Sequence, residues 1–228
     1  MTSSCRPPVC SVSNVCPPEA RIGFCDDCLA RRTPVGPACC RRCAHPYPKA
    51  TSNHLCPACL QNPPKFSAVH AVGRYQGSIR QAVRDLKYQN RLMLAKPLGE
   101  WLADTLPNIP AADTPQCIVP VPLHRVRLQS GHFNQAVEIA RPLSRHLDIP
   151  LFVNLLQRTR KTPSQQGLST AERRRNVKGV FAQDKPLPAK RVLLVDDIMT
   201  TGATVRECCR VFRQGGAVRI DVAIVGRA

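Results

Sequence analysis

The segment that most constrains this chain is Val192-Leu193-Leu194-Val195-Asp196-Asp197-Ile198-Met199-Thr200-Thr201-Gly202-Ala203-Thr204. Arg191–Val195 reads as a strand buried on both faces of a parallel sheet, because its apolar run does not alternate with polar residues. Two carboxylates follow at its C-terminal end, where open α/β sheets bind ligands. Asp196 and Asp197 can accept hydrogen bonds from a ribose diol or hold Mg²⁺ through water. Thr200, Thr201, Gly202 and Thr204 then precede a helix. Small hydroxyl residues and a glycine let backbone N–H groups wrap a phosphate, and the helix N-terminus favours its charge. The loop carries no lysine, which separates it from a Walker A loop.

The surrounding pattern is that of an α/β domain. Ser78 reads as the N-cap of a helix whose Ile79, Ala82, Val83 and Leu86 share one face. A second helix is expected over roughly 94–106. Cys117-Ile118-Val119-Pro120-Val121-Pro122 is apolar but proline-containing, which suits a short strand entering a rigid loop better than a central strand. Phe133, Ala136, Val137, Ala140 and Leu147 form a helical stripe. Residues 158–178 read as a loop with seven Lys/Arg and one acid, Glu172, and a short strand is expected over 177–181. Val205, Cys208, Cys209 and Phe212 mark a helix ended by Gly215-Gly216, and Val218, Ile220, Val222 and Ile224 a last strand. Alternating strands and helices argue for a mainly parallel sheet.

The first sixty residues differ. Ten of the thirteen cysteines lie at or before Cys59, among many prolines and little periodic apolar pattern. Such a segment cannot stabilise itself by core burial and needs a staple. Cys40-x-x-Cys43 and Cys56-x-x-Cys59 are two knuckles with the spacing of a tetrahedral thiolate site, which suits structural Zn²⁺. Cys39 is an alternative to Cys40, but only Cys40 keeps the two-residue spacing. Cys25-x-x-Cys28 is a third pair, and Cys10 with Cys16 a degraded fourth. Cys117, Cys208 and Cys209 read as buried apolar residues. The start of the sequence lacks the pattern of a secretory signal, and no apolar run reaches transmembrane length, so a cytoplasmic protein without membrane insertion is expected. The break at Asn62-Pro63-Pro64 divides a Cys-rich unit, 1–62, from an α/β domain, 63–228.

Charge narrows the partners. Lys and Arg number 33 against 15 acids, a formal net charge of +18, which attracts polyanions.

The 13-residue segment resembles the phosphoribosyl-diphosphate signature of type I phosphoribosyltransferases. The resemblance implies Asp196 and Asp197 on the ribose hydroxyls and Met199, Thr200, Thr201, Gly202, Ala203 and Thr204 around the 5′-phosphate. More of the chain agrees in order: the Cys-x-x-Cys pairs, Tyr75-Gln76-Gly77, Leu86-Lys87-Tyr88, Val119-Pro120-Val121-Pro122-Leu123-His124, and Phe133-Asn134-Gln135-Ala136. Arg158-Thr159-Arg160-Lys161-Thr162, Gln165, Glu172-Arg173 and Asn176-Val177 follow. This order is similar to the ComF/GntX family, from about Cys25 to the end. Membership implies a type I phosphoribosyltransferase fold preceded by a zinc ribbon. It also implies that Val121, Pro122, Leu123 and His124 contact pyrophosphate. Arg158–Gln165 is then the flexible loop, with Arg158, Arg160 and Lys161 neutralising the leaving pyrophosphate. The family often carries a double ribbon, which makes Cys10, Cys16, Cys25 and Cys28 the candidate second site. One departure stands out: where the family commonly shows Arg-Gly-Phe-Asn-Gln, this chain has Gly131-His132-Phe133-Asn134-Gln135.

Two functions remain open at this level. One is Mg²⁺-assisted transfer of phosphoribosyl from phosphoribosyl diphosphate to an acceptor the sequence does not name. The other is a non-catalytic module that binds a nucleotide or single-stranded DNA, its ribbon docking a DNA-uptake protein. Aromatics are only 4%, which weighs against a base-stacking groove.

Overall fold

The computed structural model describes residues 24–47, 54–106, 109–124, 133–160, 162 and 169–228. In chain order come α1 (Asp26–Ala30), α2 (Pro57–Gln61), β1 (Ala68–Arg74), α3 (Gly77–Tyr88), α4 (Ala95–Ala103), β2 (Cys117–Pro120) and α5 (Gln135–Leu147). Then follow β3 (Leu156–Arg158), α6 (Thr170–Val177), β4 (Phe181–Gln183), β5 (Arg191–Met199), α7 (Ala203–Gln214) and β6 (Arg219–Arg227). Four strands form a parallel sheet in the order β1-β6-β5-β2, and β3 and β4 form a separate antiparallel pair.

Both faces of the sheet are covered, which explains the unbroken apolar strands. Leu193 and Val195 of β5 face one core with α3, α4 and α5, while Val192 and Leu194 face the other with α7. Ile79, Ala82, Val83 and Leu86 are fully buried, as their spacing predicts. The proline-bearing β2 is short and lies at the sheet edge, where a missing N–H costs least.

The cysteine segment has no core of its own. Cys40, Cys43, Cys56 and Cys59 pack with Phe66, Val119 and Phe212 on the α7 face. Cys25 and Cys28 pack on the other face, with Phe24 and Trp101, whose rings lie 4.8 Å apart.

Three local expectations need correcting. Ser78 is not a cap: α3 starts one residue earlier, and Gln76 stands at its N-cap. The entry is set instead by Gly77 (φ +54), where a Cβ would meet the Arg31 carbonyl at 2.5 Å. The stretch 158–178 is not all loop. Ser169 and Glu172 close a reciprocal capping box over α6, a helix polar all round that has no apolar stripe to announce it. The short strand then falls at Phe181–Gln183 instead of ending at Phe181, because α6 holds the chain to Val177.

Candidate functional site

Pairing sets the open end of β5. The Val121 N–H donates to the Val195 carbonyl at 2.8 Å, and the ladder between β2 and β5 ends at Pro120 and Val195. On the other side β6 continues to pair with β5 as far as Met199 and Arg227. Asp196, Asp197 and Ile198 therefore lie on a strand held along one edge, and all three are half-buried.

The two carboxylates are held differently. Asp197 Oδ2 lies 3.6 Å from Lys87 Nζ, at the end of α3. Asp197 Oδ1 accepts the Ile198 N–H at 2.7 Å, and Asp196 Oδ1 accepts the Asp197 N–H at 2.9 Å. The Asp197 charge raises the Lys87 pKa against the opposing effect of burial. Burial, and then the neighbouring Asp197 charge, push the Asp196 carboxyl well above its usual range. Tyr75 stands close enough that burial and the Asp197 charge raise its phenol as well.

The loop after β5 turns through Gly202 (φ +74), where a Cβ would meet Met199 Cε at 2.5 Å. Thr201 Oγ1 accepts the Ala203 N–H at 3.4 Å as α7 begins. Thr200 is exposed, Thr201 and Thr204 are half-buried, and Met199, Gly202 and Ala203 are buried. This places the first N–H groups of a twelve-residue helix beside two carboxylates, an arrangement suited to a sugar phosphate.

The segment Val121–His124 lies beside this end. Val121 and Pro122 are buried, Leu123 and His124 half-buried. Asn134 fixes its start: Oδ1 accepts the Ala136 N–H at 3.0 Å as the N-cap of α5, and Nδ2 donates to the Val121 carbonyl at 3.0 Å. Gly131 and His132 lie outside the described residues.

The basic segment divides. Arg158 donates to Thr162 Oγ1 and stacks over Phe181, its Cζ 5.7 Å from the ring centre. Arg160 is exposed and donates to the Lys178 carbonyl at 3.3 Å. Lys161 lies outside the described residues. The side chain that reaches the loop is Arg173, whose Nη1 donates to Thr200 Oγ1 at 2.9 Å. Glu172-Arg173 carries part of the family resemblance, but spacing alone gives no sign of this contact.

Cys40, Cys43, Cys56 and Cys59 form a cluster that could hold a metal ion: their sulfurs all lie within 4.8 Å of one another and all four residues are buried. The Cys43 and Cys56 sulfurs are 3.7 Å apart, close to the ~3.8 Å edge of a tetrahedron with ~2.3 Å metal–sulfur bonds. The Cys56 N–H donates to Cys40 Sγ at 3.3 Å. Burial opposes the Cys40 thiolate, but hydrogen bonds from the Cys56, Cys43 and Arg42 backbones outweigh it and bring this thiol down to about 6. Burial pushes the Cys43 thiol up to about 11 and raises Cys59 further. Cys25 and Cys28 are buried apart from this cluster; Cys10 and Cys16 lie outside the described residues.

One residue without any signature in the sequence joins the cluster to the loop. Arg227, at the end of β6, is only 4% exposed. Its Nε donates to the Cys43 carbonyl at 2.9 Å, and its Nη1 to the Met199 and Thr200 carbonyls at 2.9 and 2.7 Å. Among the described residues no helix is long and apolar enough to cross a membrane.

Residues 134–227 match the phosphoribosyl transferase domain model. Competence protein F of Haemophilus influenzae is 32% identical over 76% of this chain and 78% of its own. The DNA utilization protein YhgH of Escherichia coli is 34% identical over 88% of each chain. A solved glutamine phosphoribosylpyrophosphate amidotransferase of B. subtilis is similar at 23% identity and a TM-score of 0.40, over 59% of this chain and 26% of its own. The extent of the match to the two curated relatives shows that the chain belongs to the ComF/GntX family, its α/β part having the type I phosphoribosyltransferase fold.

Proposed function

We propose that this protein binds phosphoribosyl diphosphate at the open end of β5 and transfers its phosphoribosyl group to an acceptor, with release of pyrophosphate. The observation that carries the reading is the sequence of features along one stretch of backbone. Two carboxylates lie where β5 loses its β2 neighbour, and a left-handed Gly202 then opens α7. Asp196 and Asp197 accept from the ribose hydroxyls, and the backbone of Met199–Thr204 wraps the 5′-phosphate. Val121, Pro122, Leu123 and His124 face the pyrophosphate, and Arg158, Arg160 and Lys161 offset its charge as it departs. Lys87 already neutralises part of the acidic pair. The pair therefore suits sugar hydroxyls and a water-bridged Mg²⁺ better than a directly chelated ion. Mg²⁺ bound with the substrate supplies charge neutralisation at the diphosphate. In the cysteine cluster, four soft thiolate donors at tetrahedral spacing suit a structural Zn²⁺.

A second reading has its own support. The net charge of +18 and relatives named for competence and DNA utilization favour a module that binds single-stranded DNA, or a nucleotide, without turnover. The deciding experiment measures pyrophosphate release from phosphoribosyl diphosphate with a panel of nucleobase and amine acceptors. Release with one acceptor, lost in Asp196→Asn/Asp197→Asn, supports the transferase. No release with any acceptor, together with tight and salt-sensitive DNA binding, replaces it with the second reading.

A further inference from the structure

Two arginines tie the cysteine cluster to the two ends of the loop that follows β5. Arg227 spans from the first knuckle, at the Cys43 carbonyl, to the carbonyls of Met199 and Thr200; its Nη2 also lies 3.4 Å from His45 Nδ1. Arg206, in the first turn of α7, reaches the second knuckle: Nη2 lies 3.8 Å from Cys59 Sγ, and Nη1 donates to the Asn62 carbonyl at 2.7 Å. The backbone N–H of Arg206 in turn bonds the Gly202 carbonyl at 2.9 Å.

The geometry of Arg227 has a direct consequence for anion binding. A guanidinium is a rigid planar fork of five donors, so acceptors that share it are held in fixed relation. Drawing the Met199 and Thr200 carbonyls toward the buried guanidinium turns the peptide groups that follow so that their N–H ends face away from it. A peptide has one donor and one acceptor pointing in opposite directions, so fixing the carbonyl fixes the N–H. The other side of the fork is held by Cys43, one of the four residues a metal would clamp.

We propose that Arg227 is a positioning residue for the phosphate loop, and that through it metal occupancy of Cys40, Cys43, Cys56 and Cys59 sets the affinity of the loop for a sugar phosphate. This rests on the reading of Met199–Thr204 as a phosphate site. With metal bound, the Cys43 peptide is fixed, Arg227 is held in place, and the loop N–H groups are organised before the ligand arrives. Without metal the knuckle relaxes and ordering the loop has to be met from binding energy. Coupling of this kind is reciprocal: the ligand must tighten metal binding by the factor by which the metal tightens ligand binding.

The test uses the whole chain loaded with Zn²⁺, and ribose 5-phosphate as the probe, because it lacks the metal-chelating diphosphate. Zinc affinity is measured by competition with a chromogenic chelator, with and without saturating ribose 5-phosphate. The expected result is a rise in zinc affinity of about tenfold with ligand. In Arg227→Lys the zinc stays bound but the factor falls towards one, because an ammonium cannot hold the three carbonyls in one plane. Unchanged zinc affinity in a wild-type protein that binds ribose 5-phosphate overturns the coupling while leaving the phosphate site standing. Absence of ribose 5-phosphate binding by the zinc-loaded wild type overturns the site and the coupling together. A wild-type factor retained in Arg227→Lys overturns the role of Arg227, and the wild-type measurement decides the coupling itself even where that variant fails to fold.

Discussion

Lys87 Nζ lies 3.6 Å from Asp197 Oδ2 and links the last turn of α3 to the open end of β5. Among the described residues no cation lies equally close to the adjacent Asp196, which is half-buried next to a like charge. One carboxylate is compensated, and the charged form of the other is disfavoured by burial and by its neighbour.

Asp196→Asn is therefore expected to stabilise the protein at neutral pH while weakening ligand binding. Burial and the Asp197 charge raise the Asp196 carboxyl in the folded state above its unfolded value. The folded state then binds the proton more tightly, so stability falls as pH rises from the unfolded pKa through the folded one. Asparagine removes that penalty, and a gain of about 1 kcal/mol moves the melting midpoint up by about 2–4 °C in a chain of this size. Thermal melts from pH 4 to pH 8 check this. A variant no more stable than wild type at pH 7.5 contradicts it.

Asn134 connects the start of α5 to the Val121–His124 segment, and its two functions can be separated. Asn134→Ala removes the N-cap and costs about 1 kcal/mol. Asn134→Asp keeps an oxygen for the Ala136 N–H but sets a carboxylate against the Val121 carbonyl. It is expected to keep most of the stability and lose most of the affinity for phosphoribosyl diphosphate. Equal affinity in Asn134→Asp and wild type, by calorimetry, would show that the segment lies outside the site.

What the sequence reveals here follows from how local the physics is. The buried strand Arg191–Val195 and the apolar face of Ile79, Ala82, Val83 and Leu86 are legible because burial on a sheet imposes periodicity along neighbouring residues. The four-cysteine cluster is legible because a tetrahedral site demands two tight knuckles. Ser78 misleads because its local rule is overridden by the approach of Arg31 to Gly77, a contact between segments far apart in sequence. Ser169 and Glu172 did carry a readable capping box, obscured by the absence of an apolar stripe in α6. Arg173 on Thr200 and Arg227 on Cys43 have no local signature, since each bond joins residues distant in sequence.

Gly202→Ala is expected to weaken both fold and ligand binding. At φ +74 an L side chain is strained, and the added Cβ would meet Met199 Cε at 2.5 Å. The backbone term alone is about 1–2 kcal/mol, and the methionine tip can move only within a buried setting. Melting and ribose 5-phosphate titration are the measurements. A variant with wild-type affinity and midpoint would show that the left-handed turn is not needed for the loop.

Metal analysis of the purified protein is expected to find zinc, lost in Cys56→Ser, and its binding is expected to release protons. In the metal-free cluster burial holds Cys43 up at about 11, while backbone N–H groups bring Cys40 down to about 6. Cys59 is raised as well. At pH 7.5 Cys40 is then already a thiolate, whereas Cys43 and Cys59 carry protons that the metal must displace. Zinc binding in weak buffer should therefore release at least the two protons of Cys43 and Cys59, and zinc affinity should fall steeply as the solution is acidified. Further acidification past the Cys40 value adds a further proton to the competition and steepens the fall. Calorimetry in buffers of different ionisation enthalpy gives the proton count directly. A count near zero at pH 7.5 would mean that the thiols are already ionised before the metal arrives, and that the buried cluster is organised by something other than the metal.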